Sequence, residues 1–283
     1  MKYCDLHTHS NYSDGTLSPG QLVKKGIDAG LSAMALTDHN TVDGLPEFLE
    51  AAKGSGMLAI PGVELSTQYA ETELHMIALF VKPQHYGAIR ALTEDFRIRK
   101  EESNMLLAEN LNKAGFALDY HAIRSAASGY VNRAHFAAEM TRRGYTQSVK
   151  QAFETYLAPG KGFYEPPRRP DSVETVGFIK SLGCAAVLAH PYLNLSAQEV
   201  EEFLPMAVAA GLDAMETMYP RYDDATTAIA KKTAARFGIL ESGGSDFHGE
   251  NKPDIFLGTG TGSLGVPLDI VAALQEKTES ILY

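Results

Sequence analysis

Short apolar runs alternate with amphipathic stretches through much of this chain, and that alternation narrows its fold more than any other feature. YCDL, LSAMALTDH, MLAIPGVELS, LHMIALFV, AAVLAHP and LDAMET are largely apolar and read as strands covered on both faces. Helix signals lie between several of them. In SPGQLVKKGIDAG, Ser18 can cap a helix, Pro19 suits its first position, Gln21 sits where a capping box needs it, and Gly30 closes it. Further helices are expected over about 43–54, in SVETVGFIKSLG, in SAQEVEEFLPMAVAAG and before ILESGGSDFH. The rhythm is that of an α/β barrel core.

The rhythm stops between about residues 84 and 170. The chain there reads as helices only: one over about 86–114, then pieces in DYHAIRSAA, RAHFAAEMTRRG and SVKQAFETYL. APGKGFYEPPRRPD, dense in Pro and Gly, is a return linker. The expected organisation is a discontinuous barrel, 1–83 with 171–283, carrying an inserted, mainly helical, substrate-covering module over 84–170.

With 283 residues the chain can bury one substantial core. Its net charge of −10 argues against binding long nucleic acid, although a local basic pocket can still hold a short nucleotide. A basic-then-apolar leader and a membrane-length apolar run are both missing, so the expectation is a cytoplasmic protein without a membrane partner. Cys4 and Cys184 imply no disulfide framework; Cys184, in CAAVLA, reads as a buried thiol and Cys4 is given no catalytic role.

Side chains that ligate metals recur where the strands end. DLHTHS supplies His7 and His9, whose spacing sends both toward one side of an extended segment. SDG supplies Asp14, TDH His39, GVELS Glu64, LHMIALF His75, LAHP His190, and SDFH both Asp246 and His248. Six of the nine histidines fall in these segments, His85, His121 and His135 being the others. Active sites of β/α barrels gather at the C-terminal strand ends. Mixed imidazole and carboxylate donors suit manganese, zinc or iron better than calcium, without choosing among the three. Such ions acidify water and neutralise phosphoryl charge, which favours hydrolysis of a phosphate ester. Asp246 and His248 are the candidate catalytic residues, Asp246 being placed to orient the attacking water or take its proton. Asp38 reads as holding a ligand imidazole or closing a turn.

With HTHSNYSDG, TDHNTVDG, PGVELS, LAHP and SDFH in that order, the chain resembles the polymerase-and-histidinol-phosphatase (PHP) family of metal-dependent phosphoesterases. The resemblance implies a distorted (β/α)7 barrel and two or three divalent ions. One ion would be similar to those held by His7, His9, Glu64 and Asp246. Glu64 would bridge to a second, supported by His75 and His190, and a third would take Asp14, His39 and His248.

For Arg133 and His135 in RAHFAAEM, the residues alone favour a solvated arginine and a capping or packing histidine. RAHFAAEM followed by YLAPGKGFYEP, however, is similar to the inserted module of nucleoside-bisphosphate phosphatases and short-RNA 5′ exonucleases within this family. That resemblance implies that Arg133 and His135 hold a substrate phosphate, with Lys161 a weaker candidate for the same work. Arg221 stands in MYPRYDD where relatives often carry His, and GTGTG after SDFH lacks the His or Arg that some relatives place there. The implied substrate is a small phosphorylated nucleotide such as a nucleoside 3′,5′-bisphosphate, with short single-stranded RNA as a further one. A histidinol-phosphate or other small-molecule phosphatase, and a non-catalytic regulatory or partner-binding module, are the alternatives.

Overall fold

The computed structural model describes residues 2–127 and 131–278; the ends of the expected barrel segments, residue 1 and residues 279–283, lie outside the described residues. The chain divides into two compact units, Met1–Arg90 with Arg169–Tyr283, and Ala91–Arg168.

The first unit is mixed α/β. It contains β1 (Tyr3–Asp5), α1 (Pro19–Asp28), β2 (Ala33–Leu36), α2 (Leu45–Ala52), β3 (Leu58–Tyr69) and β4 (Thr72–Leu79). The helices α3 (Tyr86–Lys113), α4 (Tyr120–Ala126), α5 (Arg133–Arg142) and α6 (Val149–Ala152) follow, before α7 (Ser172–Ser181) resumes the alternation. Then come β5 (Ala185–Ala189), α8 (Ala197–Ala209), β6 (Ala214–Met218), α9 (Asp224–Phe237), β7 (Leu240–Gly243), β8 (Val266–Pro267) and α10 (Asp269–Glu276). The sheet order is β7-β6-β5-β4-β3-β2-β1-β8.

Past their last residues, β1 and β7 meet. Leu6 N donates to Gly243 O at 3.3 Å, Asp246 N to His7 O at 2.8 Å and His9 N to Phe247 O at 3.0 Å, which nearly closes the sheet into a barrel. Its interior is small and apolar, built from Cys4, Ala33, Ala35, Ile60, Ile77, Val187 and Ala214 among others. The capping box of α1 is present as expected: Gln21 N donates to Ser18 Oγ at 3.3 Å and Ser18 N to Gln21 Oε1 at 2.9 Å.

One departure from the strand-loop-helix rhythm shapes the site. β1, β2 and β3 are parallel, as are β5, β6 and β7, but β4 runs antiparallel to both β3 and β5. β3 runs on beyond its pairing with β2, which ends at Pro61, and reverses at Ala70–Glu71, Ala70 adopting φ 50°. A two-residue connection leaves no room for a crossover helix, so the strands it joins must be antiparallel. Glu64 therefore lies inside a strand rather than at its end. Ser66 pairs with His75 and Glu64 with Ile77, which makes Glu64 and His75 diagonal neighbours on one face.

The second unit has its own core of Leu107, Leu111, Leu118, Phe136, Met140 and Leu157. Asp119 and Asn132 cap α4 and α5, and α6 continues as a wider π-helical turn, Phe153–Leu157. Among the described residues no helix is long and apolar enough to cross a membrane. Both cysteines are buried, and burial pushes the Cys4 thiol up to about 12 and the Cys184 thiol up to about 11, so neither is a nucleophile near neutral pH.

Candidate metal centre

The nine ligand-type residues arrive from seven places along the chain. His7 and His9 follow β1 and His39 follows β2, all with their imidazoles beside Glu64 of β3. His75 lies on β4, His190 directly after β5, and Asp246 and His248 just after β7. Asp14 comes from the turn behind His9. Two of them sit on strained backbone, His190 at φ 28° and Asp246 at φ 55°, a conformation non-glycine residues hold only where their surroundings fix it. Gly244 lets the end of β7 pass His7 at backbone distance, since a Cβ there would stand 2.4 Å from the His7 Cβ.

Glu64 is the hub and is fully buried. Its Oε1 lies 2.7 Å from His75 Nδ1 and 3.1 Å from His190 Nε2. Its Oε2 lies 3.0 Å from His39 Nδ1, 3.1 Å from His7 Nε2 and 3.3 Å from His9 Nε2. Asp246 Oδ1 is 3.2 Å from His9 Nε2, and Asp14 Oδ1 is 3.1 Å from His248 Nε2. Donor atoms of His7, His9 and Asp246 lie within 4.8 Å of one another, as do those of His9, Asp14, His39 and His248, of His7, Glu64 and His190, and of His39, Glu64 and His75.

Glu64 Oε1 makes hydrogen bonds with His75 and His190, but other close approaches here are not hydrogen bonds. His7 Nε2, both His9 ring nitrogens, His39 Nδ1 and Glu64 Oε2 are buried without a hydrogen-bond partner. Buried polar atoms are rarely left so in a native fold, and each such vacancy is costly. Lone pairs on imidazole and carboxylate that converge on common points are satisfied by cations, so the residues present fit divalent ions.

A supporting layer orients the donors, and much of it is invisible in the sequence. Glu216, inside β6, accepts from His7 Nδ1 at 2.9 Å and from the His190 backbone N–H at 2.7 Å. A carboxylate can only accept here, so His7 Nδ1 carries hydrogen and Nε2 turns its lone pair toward Glu64 and Asp246 once the ring is neutral. His248 Nδ1 lies 2.8 Å from the Asp246 carbonyl, which fixes hydrogen there and leaves Nε2 facing Asp14. Asp246 Oδ2 accepts from Tyr219 Oη at 2.7 Å and from Lys252 Nζ at 2.6 Å.

Asp5 accepts from Ser245 N at 2.8 Å and Gly258 N at 2.8 Å, which ties the loop after β7 to β1. Asp38 accepts from Ser10 N at 2.7 Å and from the Ser10 and Ser13 hydroxyls at 2.6 Å each, so of the two readings of Asp38 the structure selects turn closure. Only Glu216 leaves a sequence signal, as the one acid within the strand AMETM; Tyr219 and Lys252 leave none.

The cluster is electrostatically divided. Burial opposes charge on His7, His9, His39, His75 and His248. At His9 the carboxylates of Asp246 and Glu64 reverse that effect and hold it up at about 9, and at His75 Glu64 and Glu73 hold it up at about 10. At His7 burial is outweighed by Glu64, Glu216 and Asp246, which raise it well above the usual range. At His39 burial prevails and lowers it to about 3, and burial likewise lowers His248, so both are neutral and ready to ligate. Burial disfavours ionisation of Glu64 and Asp14, yet the surrounding imidazoles depress both well below the ordinary carboxylate range.

The expected phosphate contacts are divided between the two units. Arg133 is in the helical unit, its guanidinium 4.3 Å from the Tyr164 ring centroid and donating to Leu157 O at 3.3 Å. His135, also there, completes the capping box of α5 with Asn132. Lys161 is exposed in the same unit. Arg221 belongs to the barrel unit but is about half exposed and pairs with Asp254 at 2.9 Å, outside the nine-residue cluster.

A family model described as the PHP domain matches residues 5–161. A 5′-3′ exoribonuclease of Haemophilus influenzae is 32% identical over 87% of this chain and 90% of its own length. A 3′,5′-nucleoside bisphosphate phosphatase of Chromobacterium violaceum is 29% identical over 90% of this chain and 91% of its own length. Among solved structures, an amidohydrolase of Chromobacterium violaceum with bound sulfate superposes with TM-score 0.85 at 26% identity, covering 96% of each chain.

Proposed function

This chain belongs to the PHP domain family, and from that membership we propose that it is a metal-dependent phosphoesterase that hydrolyses a phosphate monoester of a small nucleotide. The substrate we propose is a nucleoside 3′,5′-bisphosphate, with removal of 5′ nucleotides from short RNA as a second task of the same site. The similar proteins named for those two activities support this choice. The observation that carries the reading is Glu64, whose two oxygens face five imidazoles inside a buried cluster.

The residues proposed to hold two or three divalent ions, of manganese, zinc or iron, are His7, His9, Asp14, His39, Glu64, His75, His190, Asp246 and His248. When bound, such ions polarise the phosphoryl oxygens and acidify water. The protein's part is orientation. Glu216 turns His7, and the Asp246 carbonyl turns His248, so that their lone pairs face the acids. Tyr219 and Lys252 hold Asp246 Oδ2, leaving Oδ1 toward the imidazoles to receive the proton of an attacking water. His248, neutral and beside both Asp14 and Asp246, is the second proposed proton-handling group. Arg133, His135, Lys161 and Arg221 are proposed as contacts to a second phosphate. We propose a cytoplasmic location on the same footing.

The test compares phosphate release from adenosine 3′,5′-bisphosphate, AMP, histidinol phosphate and a cyclic nucleotide by the manganese-loaded protein. The expected result is a clear preference for the bisphosphate. Preference for histidinol phosphate keeps the chemistry and overturns the nucleotide assignment.

A further inference from the structure

Asp246 uses its two oxygens differently. Oδ1 faces His9 Nε2 at 3.2 Å and His7 Nε2 at 3.6 Å, while Oδ2 receives two hydrogen bonds from outside the cluster. One donor, Tyr219, is buried at 6% exposure. The other, Lys252, keeps 35% of its side chain exposed while its ammonium stands 2.6 Å from Oδ2. Tyr219 bonds Oδ2 independently of Lys252, so the carboxylate keeps one of its two donors if the ammonium turns to another acceptor. Lys252 is the donor that reaches this acid from solvent.

The loop that carries Lys252 is built to hold it there. Thr16 N donates to His248 O at 3.1 Å, and Lys252 N donates to Gly249 O at 3.1 Å. Glu250 N donates to Thr16 Oγ1 at 3.1 Å, and Asn251 Nδ2 donates to Asp14 O at 2.7 Å. Gly249, at φ 67°, allows the crossing, because a Cβ there would fall 2.0 Å from Thr16 Oγ1. The turn after His248 is thus fastened to the turn that presents Asp14, and Lys252 follows directly.

We infer that Lys252 is a substrate-contacting residue, whose ammonium donates to a non-bridging oxygen of the phosphoryl group being hydrolysed. The inference rests on the phosphoesterase reading and adds a residue to it. An ammonium has three donors, so a contact to Asp246 leaves hydrogens for an incoming anion. Its exposed stem lets the head shift between Asp246 Oδ2 and phosphate without disturbing Tyr219. It also places a positive charge at the rim of an acid-rich cluster, where a phosphate dianion would otherwise meet Asp14 and Asp246 first.

The test measures binding of inorganic phosphate by equilibrium dialysis to manganese-loaded wild type, Lys252→Met and Lys252→Arg, with bound manganese counted in each. Steady-state kinetics on adenosine 3′,5′-bisphosphate accompany it. In Lys252→Met the phosphate dissociation constant is expected to rise about tenfold to a hundredfold, the range for losing a charge-assisted hydrogen bond. Manganese content is expected to hold, KM to rise more than kcat falls, and Lys252→Arg to recover much of the loss. Unchanged phosphate affinity in Lys252→Met overturns the inference. So does a loss of phosphate that parallels a loss of manganese, because Lys252 would then act only through Asp246. A wild type that binds phosphate in a Lys252-dependent way yet hydrolyses none of the esters supports the contact and overturns the proposed function instead.

Discussion

Glu64→Ala is expected to remove hydrolysis and bound metal together, with kcat/KM down by more than about a hundredfold. Losing an outer-shell partner of a ligand typically costs about tenfold to a hundredfold in metal affinity or activity. Glu64 is more than that, because both of its oxygens are shared among His7, His9, His39, His75 and His190. Removing it deletes the charge that unites them and leaves a buried cavity among imidazoles. Glu216→Ala provides the scale. It loses only the orientation of His7 and the anchor of the His190 backbone, so a tenfold to hundredfold drop in metal affinity is expected. Metal content by elemental analysis and phosphate release, measured on the same preparations, check both. A Glu64→Ala protein that retains full metal content and turnover sinks the hub assignment.

The second large effect is linkage between protons and metal. Burial opposes charge on His9 and His75, but the acids around them hold these rings up at about 9 and about 10, against 6.5 in an unfolded chain. A raised folded-state pKa stabilises the fold fully below pH 6.5, and the contribution disappears as pH rises through 9 to 10. The metal-free protein should therefore lose thermal stability as pH climbs through this window. Metal binding has the opposite sign, because ligation needs neutral imidazoles and releases their protons. The increase in Tm caused by saturating metal should thus widen from pH 6.5 to pH 8.5. Thermal melts of chelated and metal-loaded protein at several pH values test this. An increment that does not change with pH would show that the histidines are not giving up protons to metal.

How far the sequence reveals this depends on which physical rule places each residue. His7, His9, His39, His190, Asp246 and His248 stand out because strands end in short polar motifs and a spacing of two keeps two side chains on one side. Glu64 and His75 were legible as residue types but not as a pair. Their approach depends on the reversal at Ala70–Glu71, which converts one strand-helix-strand step into an antiparallel hairpin. Nothing in QYAETE announces a tight turn as Asn-Gly would, and Ala70 takes up its positive φ because the two strands leave it no alternative.

The supporting layer was harder still. Glu216 and Tyr219 act through contacts with segments well removed in sequence, and Lys252, six residues past Asp246, reaches it across an irregular turn whose path no local pattern sets. Asp5 shows the same limit: it reads as part of the YCDL strand, yet it fastens the loop after β7 across more than 200 positions of sequence. The helices of the second unit are readable from their local pattern, and the caps that begin two of them, Asp119 and Asn132, are local devices too.

The measurement that tests the central claim most directly is phosphate release from a nucleotide ester as a function of metal bound per chain, followed through chelation and stepwise return of manganese. The account predicts that release vanishes with the metal and returns as two or three ions are restored to each chain. Release that continues undiminished in protein shown to be metal-free would contradict it.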